Sequence, residues 1–259
     1  MLRRLLQKCV LLLLSASTIP CFGADGDAGK RFETYVGGDY VERSASLSTT
    51  TVWSVLGPVT EPGVRIKLDG FAGGYGDTNA DVFSSKFVAA NLGGFGALMA
   101  GYQFNRGPFW IKLYAGAAYQ TEIQAFWQAG VLAQQQAWGG AAAFEIYWRA
   151  SDRLWSSTNV SWLQIGNSWN LYSRAAYEFY RTDWGLRVSG GAEDSFLVAD
   201  ANIFKEGKAL GLYNDYVRGG ALLNLQYGVN DFTFSGGLSD ASNEAVWRPY
   251  VTIRYGRKF

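Results

Sequence analysis

The last thirteen residues, Trp247 to Phe259, alternate between two kinds of side chain. One register is apolar and the other is polar and cationic, which is the period of a β-strand with two chemically different faces. An apolar strand that ends on an aromatic residue is typical of the closing strand of a bacterial outer-membrane barrel. Arg257, third from the end, departs from that pattern, where an aromatic residue is more usual. We therefore expect a C-terminal assembly strand whose lipid-facing residues are Val251, Ile253, Tyr255 and Phe259.

The amino terminus predicts export. Arg3, Arg4 and Lys8 precede the apolar run 9–14, and small residues follow. This is the pattern of a cleaved secretory signal peptide over residues 1–23, with the mature barrel domain over 24–259. The apolar run is shorter than the about 20 residues of a membrane-spanning helix. A lipoprotein acylated at Cys21 is the alternative, although the residue before it is proline rather than a small residue.

Composition excludes several classes of function. Without residues 1–23 the chain has 20 basic and 22 acidic residues, and this near neutrality argues against nucleic-acid binding. Both cysteines lie in the signal segment and there is no histidine, so Cys or His metal sites and His-dependent catalysis are excluded. We expect no catalytic residue, no metal and no cofactor. The 32 glycines, with 10 Trp, 15 Tyr and 16 Phe, favour an all-β fold.

The alternating pattern recurs along the chain and predicts a transmembrane antiparallel β-barrel of about 12 strands. An even strand number returns both termini to the periplasm. The even-numbered connections are the shorter ones, at 58–62, 106–107, 150–152, 182 and 229, whereas the third, fifth and ninth are long, at 76–91, 121–132 and 194–212. Short turns at one rim are typical of the periplasmic side. The predicted strands are 32–41, 47–57, 63–75, 92–105, 108–120, 133–149, 153–165, 170–181, 183–193, 213–228, 230–239 and 247–259.

Aromatic residues flank the short turns in the apolar register, as in the girdles where a barrel meets lipid headgroups. The alternative is a set of core aromatics in a β-sandwich. The predicted periplasmic-side girdle consists of Phe104, Phe109, Trp148, Phe179, Trp184, Tyr227 and Phe232.

The opposite register carries the charges, so we expect it to face the lumen. Burying these arginines requires partners, and we expect Glu178, Glu145 and Glu33 to pair with some of them. Glu178 and Arg187 should be diagonal neighbours if Phe179 and Trp184 pair across their turn. The candidate lumen charge network is Lys112, Glu145, Arg174, Glu178, Arg187, Arg218 and Arg254.

The segments 101–104, 110–117, 137–147 and 217–221 resemble the cellulose biosynthesis protein BcsS family. The likeness is one of strand rhythm and of glycine and aromatic positions from about Phe32 onward, and no functional residues come with it. It implies an outer-membrane accessory component of bacterial cellulose biosynthesis and secretion. The expected partners are outer-membrane lipid, the barrel assembly machinery, and cellulose synthase components or the glucan chain, in a Gram-negative bacterium.

Two other functions remain open. A narrow, porin-like channel for small anionic solutes or sugars would need an unobstructed lumen, which long side chains can fill at this strand number. A barrel enzyme would have to use carboxylates such as Glu193, Asp194 and Asp200, whose ordinary role is to solvate a loop. We expect no enzyme.

Overall fold

The computed structural model describes residues 29–41, 44–76, 89–126, 131–198, 216–241 and 247–259. Twelve antiparallel strands form a closed barrel in which each strand pairs with its neighbours in sequence and the first pairs with the last. This confirms the predicted fold and strand number. No helix in the described ranges is long and apolar enough to cross a bilayer. The predicted signal peptide, 1–23, lies outside the described residues.

The strand bounds differ from prediction mainly near the longer connections. The predicted fifth connection, 121–132, is largely strand, because β5 and β6 continue their pairing up to Phe126 and Val131. The strands are β1 Phe32–Val41, β2 Ser44–Ser54, β3 Gly63–Gly76, β4 Ala89–Arg106, β5 Phe109–Phe126, β6 Val131–Arg149, β7 Leu154–Leu163, β8 Ser168–Arg181, β9 Leu186–Val198, β10 Tyr216–Tyr227, β11 Asn230–Ala241 and β12 Trp247–Lys258.

The short turns are tight because the chain places glycine where the backbone needs a positive φ. Gly107 has φ 58° in the β4–β5 turn, and Gly228 has φ 57° in the β10–β11 turn. The β8–β9 connection is longer than the single residue predicted. It is a four-residue turn, closed by Thr182 N donating to Leu186 O at 2.9 Å. A bulge at Phe179 shifts the pairing here, so Phe179 and Trp184 do not face each other as predicted.

The outward register is mostly apolar, and two pairs of its hydroxyl side chains lie within hydrogen-bond distance of each other. Thr34 and Thr51 lie on adjacent strands with their hydroxyls 3.2 Å apart. Thr158 donates to Ser173 at 3.2 Å in the same way. Because lipid offers no hydrogen bonds, such pairing allows hydroxyls on the outer face.

A second aromatic pair on the outer face of β5 and β6 lies about one membrane thickness from the pair at their short-turn end. Tyr119 and Trp138 pack at 4.7 Å, ten positions along their strands from Phe109 and Trp148, which stack at 5.9 Å. A tilted strand crosses a bilayer in about 9–11 residues. The two pairs therefore fit the two membrane interfaces, and the remainder of β5 and β6 extends past the outer one.

The paired part of the barrel wall is shorter at the β7–β8 hairpin. Strand β6 pairs with β7 only from Ala141 onward. At Gly140 the side-chain oxygen of Gln164 accepts the hydrogen bond of the backbone N–H at 2.8 Å, in place of a strand partner. The β7–β8 turn then folds inward, with Gly166 at φ 72° and Asn167 at φ 40°. This conformation ends β7 earlier than predicted and inserts Ile165 into the barrel.

Candidate functional site

The lumen is the candidate site, and salt bridges cross it. Lys67 on β3 contacts Glu145 on β6 at 2.6 Å and Asp69 at 3.0 Å. Lys112 on β5 contacts Glu33 on β1 at 2.5 Å and Glu145 at 3.8 Å. These side chains are mostly buried, so the strands supply each charge with a partner from a distant part of the wall.

Glu33, Glu145 and Glu178 were expected to pair with lumen arginines of the predicted network, and this prediction was wrong. Glu145 and Glu33 bind lysines instead, because Lys67 and Lys112 reach across the lumen at their level. Glu178 is diagonal to Arg187, but it pairs with Arg181 at the rim at 2.5 Å. The bulge at Phe179 brings Arg181 toward the Glu178 carboxylate.

The other predicted lumen arginines have different surroundings. Arg218 pairs with Asp39 across the lumen at 3.2 Å. Arg174 donates from Nε to Ser157 at 2.9 Å and lies 5.2 Å over the Trp155 ring. Arg254 lies 4.1 Å over the Tyr172 ring. Arg187 lines the same space. Within the described ranges, no carboxylate forms a salt bridge with Arg174, Arg187 or Arg254.

The surroundings of Glu193 at the centre of the lumen were not predicted. Glu193 accepts from the phenols of Tyr172 at 2.7 Å and Tyr250 at 3.0 Å, rather than solvating a loop. Both tyrosines lie on the inward register of their strands. The signal was therefore present in the sequence, but the pairing depends on the curvature of the closed wall.

An apolar cluster also occupies the interior. Ile165 from the β7–β8 turn packs with Met99 and Tyr114 and with small residues of the β4–β6 wall. Small side chains on that wall leave room for the turn, and a Cβ added at Gly139 would lie 2.8 Å from Ile165. The complete cluster is Ala97, Met99, Tyr114, Ala118, Ala141, Ala143 and Ile165.

The β2–β3 turn, residues 55–62, closes part of the short-turn rim. Arg65 is fully buried and donates to Ser54 Oγ at 2.7 Å, to Pro58 O at 3.3 Å and to the carbonyl of Glu61. Asn105 donates to Thr60 O at 2.8 Å. These bonds hold a turn across the mouth of the lumen that the sequence predicted only as a short connection.

A cavity of about 440 Å³ remains in the half of the lumen near the short-turn rim, which is the rim predicted to be periplasmic. Residues near the short-turn rim, including Arg153, Gly228 and Lys258, lie at one end, and Lys67 and Lys112 lie among its deeper residues. Nine cationic and five acidic residues line it, so it carries an excess of positive charge. No group of three or more potential metal ligands occurs in the described part of the chain.

The predicted girdle residues lie on the outer face near the short turns. Trp184 packs edge-on against Tyr227 at 5.6 Å, and Phe232 packs against Tyr255 at 4.8 Å. Phe104 and Phe179 are also exposed outward. With the Phe109 and Trp148 stack, these aromatics form a belt around the short-turn end.

The predicted assembly strand closes the barrel. Val251 and Ile253 are exposed on the outer face. Tyr255 donates to Asn230 at 2.8 Å. Phe259 and Phe32 exchange backbone hydrogen bonds at 2.8 and 3.2 Å, which join the two ends of the barrel. Arg257, the departure from the usual pattern, lies 5.0 Å from the Phe259 ring.

Comparison with known proteins bears on the fold alone. No protein-family model matches the chain, and no curated protein matches it. Among solved structures, the translocator domain of the autotransporter NalP from Neisseria meningitidis is similar with a TM-score of 0.52 and 11% identity, over 99% of this chain and 95% of that one. The KdgM porin aligns with a TM-score of 0.47 and 7% identity, over 88% and 99%. The chain is an outer-membrane type of β-barrel.

Proposed function

We propose that this protein is a non-enzymatic accessory barrel of bacterial cellulose biosynthesis and secretion, located in the outer membrane of a Gram-negative bacterium. The observation that carries the structural part of the proposal is the crossed lumen. Lys67, Lys112 and Arg218 each bind a carboxylate on a distant strand. A barrel filled in this way supports a role at its rims, its loops or its partner surfaces rather than as a conduit for the glucan.

The cellulose part of the proposal is supported by the resemblance of segments such as 101–104 and 217–221 to the BcsS family. These segments lie in strands β4 and β10, and one of them includes Arg218, which pairs with Asp39 across the lumen. The resemblance is one of strand pattern and of glycine and aromatic positions rather than of a functional motif. On this proposal the partners are outer-membrane lipid, the assembly machinery and components of the cellulose synthase complex.

A clean deletion tests the cellulose role. We expect the deletion strain to make normal amounts of the inner-membrane synthase and to show altered cellulose amount, location or matrix properties at the cell surface. Complementation with the wild-type gene should restore the surface cellulose. Unchanged cellulose in every respect would refute the proposal.

The second candidate is a narrow channel for small anionic solutes or sugars. It is favoured by the positive excess of the cavity and by Arg174 and Arg254, which have no salt bridge to a described carboxylate. Planar bilayer recordings separate the two candidates. Steady anion-selective conductance that falls in Arg187→Ala would favour the channel, and electrical silence would favour the accessory barrel.

A further inference from the structure

The arginines that face the lumen fall into two groups. Arg65 donates to Ser54 and to backbone carbonyls, and Arg218 forms a salt bridge with Asp39. Arg174 and Arg254 line the cavity, but aromatic rings support them instead of carboxylates. We propose that the periplasmic cavity binds one small anionic sugar, a hexose unit with a carboxylate or phosphate, and that Arg174 and Arg254 hold its anionic group.

The two guanidinium groups are positioned before any ligand arrives. Ser157 fixes Nε of Arg174 at 2.9 Å and Trp155 lies beneath it, whereas Tyr172 supports Arg254 at 4.1 Å. Stacking uses the flat face of a guanidinium and leaves its N–H edge for a planar anion. Because these side chains are already ordered, binding loses less conformational entropy.

The neighbouring carboxylates have other bonds. Asp231 accepts from Asn224 at 2.8 Å and from Thr233 at 3.2 Å, and Glu33 binds Lys112. Neither acid forms a salt bridge with Arg174 or Arg254. Glu193, directly opposite Arg174 on β9, accepts from the phenols of Tyr172 and Tyr250. A bound anion would give the two partly buried arginines a direct ion pair, which no described carboxylate forms with them.

The rest of the cavity matches a sugar in size and chemistry. Its volume of about 440 Å³ lies toward the lower end of small-molecule pockets, roughly 300–1,000 Å³. Asn159, Ser189 and Gln226 line it and offer both donors and acceptors to hydroxyl groups. The cavity reaches the short-turn rim, so the ligand would enter from the periplasm.

Calorimetry on the full-length protein in detergent tests this site. The probes are glucuronate, glucose 6-phosphate and neutral glucose. We expect saturable binding of at least one of the two anionic sugars and none of glucose, because the neutral sugar cannot use the arginines. Preference between glucuronate and glucose 6-phosphate identifies the anionic group as carboxylate or phosphate.

Substitutions assign the binding to the two arginines. Arg174→Gln and Arg254→Gln should each weaken binding by about tenfold or more, the scale of one lost charge-assisted hydrogen bond. Arg106→Gln is the matched control, since it removes one positive charge from the exposed end of β4, outside the cavity. Each variant is first checked for the heat-dependent gel shift of a folded barrel.

Three results would overturn the proposal: no heat of binding for either anionic sugar at millimolar concentration, equal binding of glucose, or unchanged affinity in both folded arginine variants. The experiment measures neither current nor cellulose. A negative result therefore refutes the site while leaving the proposed accessory function to its own deletion test, and binding by an electrically silent barrel would support the site.

Discussion

Replacing Lys112 with Met should destabilise the barrel by leaving a carboxylate alone in the lumen. Lys112 and Glu33 are 2.5 Å apart, with side-chain exposures of 15% and 8%. Among the described residues, Lys112 forms the salt bridge of Glu33, whereas Glu145 retains Lys67. Removing one partner of a buried pair costs about 3–5 kcal/mol. Since the pair borders the cavity, water relieves part of the penalty and we expect about 3 kcal/mol, near the lower bound.

The double variant Lys112→Met/Glu33→Met distinguishes two contributions to the free energy of unfolding: the attraction within the pair, and the penalty of leaving the Glu33 carboxylate buried without a partner. Replacing both members of a buried pair with apolar residues is often neutral, so the double variant should be more stable than Lys112→Met alone. Unfolding in urea from phospholipid vesicles, followed by tryptophan fluorescence, gives the free energies for the cycle. Arg106→Met is the control, because Arg106 is exposed at the end of β4 and no salt bridge joins it to a described carboxylate. A cost for Arg106→Met equal to that for Lys112→Met, or a double variant whose cost is the sum of the costs of Lys112→Met and Glu33→Met, would refute the reasoning.

Three further outcomes follow from the structure. Tyr255→Asp should reduce the amount of heat-modifiable barrel in outer-membrane fractions, because it puts a charge at the lipid face of the closing strand; normal levels would contradict this. Gly191→Ala should lower the urea midpoint, since the new Cβ would lie 1.9 Å from a backbone carbonyl, whereas Gly219→Ala, at 3.8 Å, should change it little. Ile165→Asp should destabilise by about 2 kcal/mol or more by burying an unpaired carboxylate in the apolar cluster, and an unchanged unfolding curve would remove that cluster as a stabilising element.

The strand number and the two faces of the wall could be predicted because both are local in sequence. A period of two fixes which side chains point outward, and glycine turns such as the one at Gly107 fix where the chain reverses. The outward pair Tyr119 and Trp138 uses the same register and lies within the predicted strands 108–120 and 133–149, but only aromatics that flank the short turns were assigned to a girdle. The loop predicted at 121–132 was too long, because the pairing of β5 and β6 continues to Phe126 and Val131.

The contents of the lumen could not be predicted in the same way. Lys67 and Glu145 are 78 positions apart, and whether they meet depends on the stagger of several strands around the closed barrel. The inward position of Ile165 depends on space left by small side chains on β4 to β6, and the β2–β3 turn is held by hydrogen bonds from Arg65 and Asn105. Sequence alone places charges on a face, whereas the closed wall decides which of them are partners.

The crossed lumen also limits what can pass through it. A glucan chain threading the barrel would have to separate Lys67 from Glu145, Lys112 from Glu33 and Arg218 from Asp39. At about 3 kcal/mol for each broken buried pair, this amounts to roughly 9 kcal/mol, a factor of about a million against the open state. A neutral polymer offers no charge to offset that penalty. The single anionic sugar that we propose as a ligand avoids this penalty, because it would occupy the existing cavity, which Lys67 and Lys112 line, and its two arginines have no salt bridge to a described carboxylate to lose. On this proposal the same lumen would exclude the polymer and still admit a small acidic ligand.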